Sequence, residues 1–133
     1  MNILRITHFA EMKNHILNLL FRIIQITFFL LLVAGPPLAE QKEMKKIGRI
    51  GENVRLICPI GGFPAPMVEW SKNGEKIDYM WERHRTGRKS LKIKNANEDD
   101  TGVFTCKGIN GFGSEEVRIE LIIVGKWKSA LHL

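Results

Sequence analysis

The sequence predicts an all-β fold in which two sheets pack face to face and a single disulfide joins them. The chain holds only two cysteines, Cys58 and Cys106, which are 48 positions apart and have Trp70 between them. After residue 39, short segments alternate apolar and polar side chains and are separated by turns rich in glycine, proline and asparagine. A disulfide closing a loop of this size would stabilise so small a domain by about 4 kcal/mol.

The alternation of side chains assigns the strands and their buried faces. In the segment 53–58, Val54, Leu56 and Cys58 are expected to point inward, whereas Arg55 and Ile57 point outward. Two Asn-Gly pairs, at 73–74 and 110–111, are hairpin signals because both residue types tolerate positive φ. We therefore expect an edge strand at 40–49 and further strands at 53–58, 67–72, 83–86, 91–94, 102–108 and 117–123.

Residues 1–39 are expected to be a signal peptide rather than part of the fold. The segment 16–34 is largely apolar, basic residues precede it and small residues follow it. Its uninterrupted apolar run, 28–34, is shorter than the ~20 residues that a membrane-spanning helix needs. We expect cleavage after Ala39, a domain over residues 40–125 and a tail over 126–133, so that the mature protein is secreted into an oxidising compartment. An uncleaved membrane anchor is the alternative.

Several short motifs together resemble one known domain family. They read C-P-I-G-G-F-P-A-P, W-S-K-N-G, S-L-K-I, E-D-D-T-G-V-F-T-C and N-G-F-G-S in chain order. This pattern resembles an I-set immunoglobulin domain, which is a two-sheet Greek-key sandwich with one disulfide between the sheets. Within that class it is most similar to the extracellular domains of fibroblast growth factor receptors and their receptor-like relatives.

The resemblance implies roles for individual residues. The core is expected to contain Trp70, packed on the Cys58–Cys106 disulfide, together with Phe104, Leu56 and Leu91. Phe104 stands where most immunoglobulin domains have tyrosine, so the hydroxyl hydrogen bond of that corner cannot form. Arg83 and Asp100 match a structural salt bridge of the family.

Basic residues gather near the first cysteine strand and on the strands that follow it. The candidates are Lys42, Lys45, Lys46 and Arg49 before that strand, and Arg55, Lys92 and Lys94 within strands, with Arg85, Arg88 and Lys89 near the edge. The first, second, fourth and fifth strands of an immunoglobulin sandwich share one sheet, so these cations are expected on one face. Clustered cations attract polyanions, and we expect heparan sulfate to bind there. A plain solvated strand face is the alternative.

These observations predict a binding protein rather than an enzyme. Both cysteines are assigned to the disulfide, and His84 is the one histidine outside the expected signal and tail, so no catalytic triad, metal site or cofactor is expected. The net charge of +6 permits an anionic partner. The expected partners are an extracellular protein, either a growth factor or another immunoglobulin-domain protein, and heparan sulfate. Nucleic acid is excluded by compartment. The alternative function is a generic cell-adhesion or matrix module.

Overall fold

The computed structural model describes residues 2–78 and 81–125, which belong to two compact units that divide after Ala34. The first unit is one helix, α1 (Asn2–Val33), without a buried side chain. Its most apolar window has a mean hydropathy of 2.3, so α1 is long and apolar enough to cross a membrane, a property that signal sequences share. The uninterrupted apolar run at 28–34 was expected to be too short to cross a membrane, but it is only one part of the longer helix α1. A helix satisfies its own backbone polar groups, and Thr27 Oγ1 donates to the Ile23 carbonyl at 2.6 Å, so scattered polar residues do not end it.

The second unit is a β-sandwich. Its strands are β1 (Leu38–Ala39), β2 (Glu43–Arg49), β3 (Val54–Ile57), β4 (Ile60–Gly61), β5 (Met67–Lys72), β6 (Glu75–Lys76), β7 (His84–Thr86), β8 (Ser90–Ile93), β9 (Gly102–Asn110) and β10 (Gly113–Val124), with a 3-10 turn at Glu98–Asp100. One sheet has the strand order β2-β10-β9-β5-β6, and the facing sheet has the order β3-β8-β7. β1 and β4 form a separate antiparallel pair. The tail at 126–133 lies outside the described residues.

The core lies between the two sheets and is built by the inward side chains of both. Trp70, Phe104, Leu56 and Leu91 are each no more than 2% exposed. The disulfide is confirmed, because Cys58 after β3 is bonded to Cys106 on β9. Trp70 stands opposite Cys106 in the β5–β9 ladder, so the largest core side chain lies beside the disulfide. These contacts tie the two sheets together.

The two hairpins follow the Asn-Gly signals with one difference. Asn73 and Gly74 both have positive φ, 48° and 87°, and connect β5 to β6 as expected. At the second signal, Asn110 instead pairs with Gly113, so Gly111 and Phe112 form the turn. The side chain of Asn110 closes that turn, since its Oδ1 accepts from the Phe112 N–H at 2.9 Å. The turn is displaced by one residue because the amide side chain caps the loop.

The expected first strand at 40–49 divides into two strands that join different partners. β1 pairs antiparallel with β4, beyond the Pro59 that interrupts the ladder of β3. β2 crosses over and pairs parallel with β10 at the edge of the five-stranded sheet. Gly48 lets the end of β2 lie close to the start of β3, because a Cβ there would be 2.6 Å from Val54 Cγ2. The domain expected from residue 40 therefore begins earlier in the structure, at Gly35.

Candidate functional site

Three basic side chains lie in one row across the three-stranded sheet. Arg55 on β3 stands opposite Lys92 on β8, and Lys92 stands opposite Arg85 on β7. All three side chains are exposed. Lys92, for example, points outward because its neighbours Leu91 and Ile93 point into the core. Side chains directly opposite on adjacent strands have their Cβ atoms about 5 Å apart. The three positive charges therefore form a continuous line.

In the part of the chain that the structure describes, no acidic side chain forms an ion pair with this row. β3, β7 and β8 contain no Asp or Glu. Among the described residues the three cations form no ion pair, and Arg55 Nη2 donates only to Ser90 Oγ at 3.4 Å. Arg88 and Lys94 flank β8 and are exposed, and neither forms an ion pair within residues 2–78 and 81–125. We call the set Arg55, Arg85, Arg88, Lys92 and Lys94 the basic face.

The remaining predicted cations lie elsewhere. Lys42, Lys45, Lys46 and Arg49 belong to β2 or precede it, and β2 is part of the five-stranded sheet. Lys42 Nζ lies 3.0 Å from Glu115, and Lys45 Nζ lies 3.4 Å from Glu120. The expected single face is thus wrong for these four residues, because the first strand changes sheets before it reaches them. The Lys89 side chain is held by a hydrogen bond within the domain, since its Nζ donates to the Ile60 carbonyl at 2.8 Å.

The five-stranded sheet carries charges of both signs, and several of them form ion pairs. Lys107 Nζ lies 3.4 Å from Glu116, and Lys76 Nζ lies 3.0 Å from Glu69. Each of these pairs is largely exposed and contributes little to stability. Their consequence is electrostatic, because paired charges cancel at a distance. The three-stranded sheet differs, because its strands carry basic residues and no acidic ones.

A buried carboxylate holds β7 in place. The Arg83 guanidinium donates to Asp100 through two bonds, of 2.8 and 2.9 Å, and the Asn97 N–H donates to the same carboxylate at 2.8 Å. Burial alone would raise the pKa of Asp100, but these hydrogen bonds and the Arg83 charge outweigh it and lower that pKa. Asp100 also raises the pKa of Arg83. The two hydrogen bonds between Arg83 and Asp100 hold the backbone in place two residues before Arg85.

His84 packs against the same carboxylate. Its Nε2 lies 3.5 Å from Asp100 Oδ1, and its ring meets Trp81 edge-on and stacks on Phe104, at centroid distances of 5.0 and 6.2 Å. Burial lowers the pKa of His84, although the Asp100 charge acts in the opposite direction. Because His84 points into the core, its neighbour Arg85 points out of the sheet. The cluster thus helps to orient one end of the basic row.

The structure brings together part of the predicted site and adds to it. Arg55, Lys92 and Lys94 share the expected face. Arg85 was expected near the edge and instead completes the row. The signal for this placement was the alternation of buried His84 with exposed Arg85, but its register against Lys92 depends on the β7–β8 pairing. The described residues contain no group of three or more His, Cys, Asp or Glu side chains that could hold a metal ion.

The architecture, the inter-sheet disulfide and the buried Trp70 define an immunoglobulin-like sandwich. The sequence profile of the Immunoglobulin I-set domain matches residues 37–123. The chain therefore belongs to the I-set immunoglobulin family, whose domains are binding modules. This match begins at Pro37, so it includes β1 as well as the two main sheets.

Individual relatives and solved structures agree with this assignment. Fibroblast growth factor receptor-like 1 of Mus musculus is 42% identical over 91 residues, which is 68% of this chain and 17% of that protein. Neural cell adhesion molecule 1 of Rattus norvegicus is 30% identical over 95 residues, 68% of this chain and 11% of that protein. The N-terminal Ig1-2 module of the Drosophila receptor protein tyrosine phosphatase DLAR superposes with a TM-score of 0.60 at 29% identity, covering 68% of this chain and 47% of that structure. The chain thus spans less than a fifth of the two curated relatives.

Proposed function

We propose that this chain is an exported immunoglobulin-domain binding protein whose basic face binds heparan sulfate. The observation that carries the proposal is the in-register row of Arg55, Lys92 and Arg85, which has no acidic neighbour on its strands. A linear polyanion lying across the strands would meet three cations in succession. Arginine adds a planar fork that matches oxyanion groups, which lysine alone does not offer. Binding through such contacts weakens as added salt screens them.

Heparan sulfate lies outside the cell, and the disulfide and α1 both support an extracellular location for this domain. The Cys58–Cys106 disulfide is typical of proteins that fold in an oxidising compartment. α1 lies near the N-terminus and is long and apolar enough to cross a membrane, which is also true of export signals. We therefore propose that α1 directs export and is then removed, which would place the basic face outside the cell, where sulfated polysaccharides occur.

The names of two relatives support a protein as a second kind of partner. The mouse relative carries fibroblast growth factor receptor in its name, and it matches 68% of this chain, which supports a growth factor as that partner. The rat relative is named as a neural cell adhesion molecule, which supports the second candidate, a cell-adhesion module that binds another immunoglobulin domain. The exposed apolar side chains Met67 and Phe112, 66% and 53% exposed, offer contact area to a protein partner of either kind.

Heparin-column elution of the full chain tests the polysaccharide. The test variant is Arg55→Glu/Lys92→Glu, which reverses two charges of the row. The matched control is Lys45→Glu/Lys46→Glu, which changes the net charge equally but lies on β2 in the other sheet. We expect the row variant to elute at clearly lower salt than wild type and the control to elute close to wild type, with melting temperatures alike.

Two outcomes would count against the polysaccharide. Wild-type protein that passes through the column at physiological salt would leave the basic face as a solvated surface, and the adhesion candidate would then lead. Equal shifts for both variants would mean that net charge, rather than the row, controls elution.

A further inference from the structure

The five residues before the expected signal boundary are integrated into the folded domain. Leu38 and Ala39 pair antiparallel with Gly61 and Ile60, which continue the chain beyond β3. Pro37 is among the largest fully buried side chains of the domain. Cleavage after Ala39 would therefore remove a strand and a buried side chain from the mature protein.

Gly35 is held by backbone and side-chain hydrogen bonds of the same unit. Its N–H donates to the Phe63 carbonyl at 2.9 Å. Its carbonyl accepts from Asn110 Nδ2 at 2.8 Å, and the same amide also donates to the Pro64 carbonyl at 3.1 Å. Asn110 thus joins the start of the domain to the loop after β4 and to the β9–β10 turn. Without Gly35, a part-buried amide would lose one of its two acceptors.

The sequence offers three bonds with a small residue on the N-terminal side, after Ala34, Gly35 or Ala39. The bond after Gly35 joins a proline nitrogen, which carries no N–H and has a locked φ. The other two bonds have Leu32 and Pro37 three positions upstream, and neither is the small residue that signal cleavage sites favour there. The local sequence does not separate these two bonds, but the fold does. Only a cut after Ala34 keeps Gly35 to Ala39.

We propose that a signal peptidase cleaves the Ala34–Gly35 bond, so that the mature protein begins at Gly35. This inference rests on the proposed export. Hydrolysis breaks the bond between the Ala34 carbonyl carbon and the Gly35 nitrogen. Water supplies the hydroxyl that makes the new Ala34 carboxyl group and the proton that makes the Gly35 amine. α1 ends at Val33, so the removed peptide contains the whole helix.

The new terminus also gains a favourable interaction. After cleavage, Gly35 carries an ammonium group in place of its amide N–H. That group stands where the amide donates to the Phe63 carbonyl. A hydrogen bond from a charged donor is about twice as strong as one between neutral groups. Processing at this bond therefore leaves the domain complete and strengthens the contact at its first residue.

The test is mass spectrometry of the intact protein and its N-terminal peptide after expression of the full chain in secreting animal cells. Medium and membrane fractions are both collected. Two matched variants, Ala34→Val and Ala39→Val, each replace one small residue by a branched one that a signal peptidase does not accept before the cut. Valine suits the extended backbone of β1, so the second variant keeps that strand.

We expect wild type and Ala39→Val to appear in the medium with Gly35 as the first residue. Ala34→Val is expected to lose that terminus and to stay in the membrane fraction or start elsewhere. A secreted protein that begins at Glu40, or an Ala39→Val variant that alone is blocked, would overturn the cleavage site while leaving export and the basic face standing. A wild-type chain retained in membranes with α1 attached would overturn both the site and the proposed export.

Discussion

Asp100 shows how one buried charge can stabilise several segments. Its carboxylate is 1% exposed and accepts hydrogen bonds from Arg83 on one side and from the Asn97 N–H on the other. The charge is tolerated because both oxygens have partners, and because Arg83 brings an opposite charge. The Arg83–Asp100 pair thus helps to set the position of β7, which contributes Arg85 to the basic face.

Replacing that carboxylate is expected to be costly. Asp100→Ala should lower the free energy of unfolding by about 3 kcal/mol, because it leaves Arg83 without its partner and removes the bond to Asn97. Urea unfolding measures the change. The matched control is Asp99→Ala, an exposed neighbour in the same turn, for which we expect a change within about 0.5 kcal/mol. Similar effects for the two variants would contradict the assigned role of the buried carboxylate.

His84 makes stability depend on pH. Burial lowers its pKa in the folded domain, Asp100 opposes this shift, and Arg83 and Lys72 add to it. The unfolded chain then binds the proton more readily, so stability rises with pH in that range. The contribution is complete above about pH 6.5, the ordinary value, and is lost as the pH falls below it.

Urea unfolding between pH 5 and 8 should show this loss in the wild type. His84→Phe keeps an aromatic ring against Trp81 and Phe104 but cannot be protonated. We expect the variant to have a flatter stability profile between pH 7 and pH 5. The lowered pKa of Asp100 acts in a more acidic range, near and below about pH 4, and does not interfere. Identical slopes for wild type and variant would rule out His84 as the titrating group.

At the scale of elements, β1 and β2 show how one predicted strand becomes two. β1 pairs with β4 in a separate two-stranded sheet, whereas β2 becomes the edge of the five-stranded sheet. Lysines on an edge strand discourage pairing with other chains, a role that Lys45 and Lys46 fit on β2. Because β2 belongs to the other sheet, its lysines are not part of the basic face, which is limited to β3, β7, β8 and the residues that flank them.

The contribution of β1 can be measured by comparing a chain that starts at Gly35 with one that starts at Glu40. The shorter chain loses the buried Pro37, the β1–β4 pair and one acceptor of Asn110. We expect a loss of about 2 kcal/mol. The melting temperature should fall by roughly 10 °C, which scanning calorimetry would detect. Equal melting temperatures would mean that residues 35–39 are dispensable for the fold.

For the whole domain, the disulfide compensates for a small core. Cys58 and Cys106 close a loop with a sequence separation of 48 residues and join the two sheets beside Trp70. Removing the bond frees the unfolded chain more than the folded one. The two sheets of the domain also differ in charge, since the five-stranded sheet mixes acidic and basic residues and the strands of the three-stranded sheet contain no acidic one.

Cys58→Ala/Cys106→Ala should therefore lose about 4 kcal/mol of stability, a large part of what a domain this size possesses. The urea midpoint is the measurement, and wild-type protein unfolded in the presence of a reductant should behave like the double variant. An unchanged midpoint in the variant would show that packing between the sheets suffices without the bond.

Local patterns in the sequence were sufficient for the two-sheet fold, its disulfide and its core. Leu56 and Leu91 could be assigned inward because side-chain direction in a strand has a period of two, and Trp70 because its position relative to the cysteines is a family pattern. Arg55 and Lys92 could be assigned outward for the same reason. The sheet to which β2 belongs, the register that places Arg85 beside Lys92, and the inclusion of Gly35 in the domain were decided only by the tertiary structure. The sheet of β2 and the inclusion of Gly35 depend on contacts between segments distant in the chain, and the β7–β8 register depends on the geometry of the turn that joins these two strands. A local period of two carries no information about either.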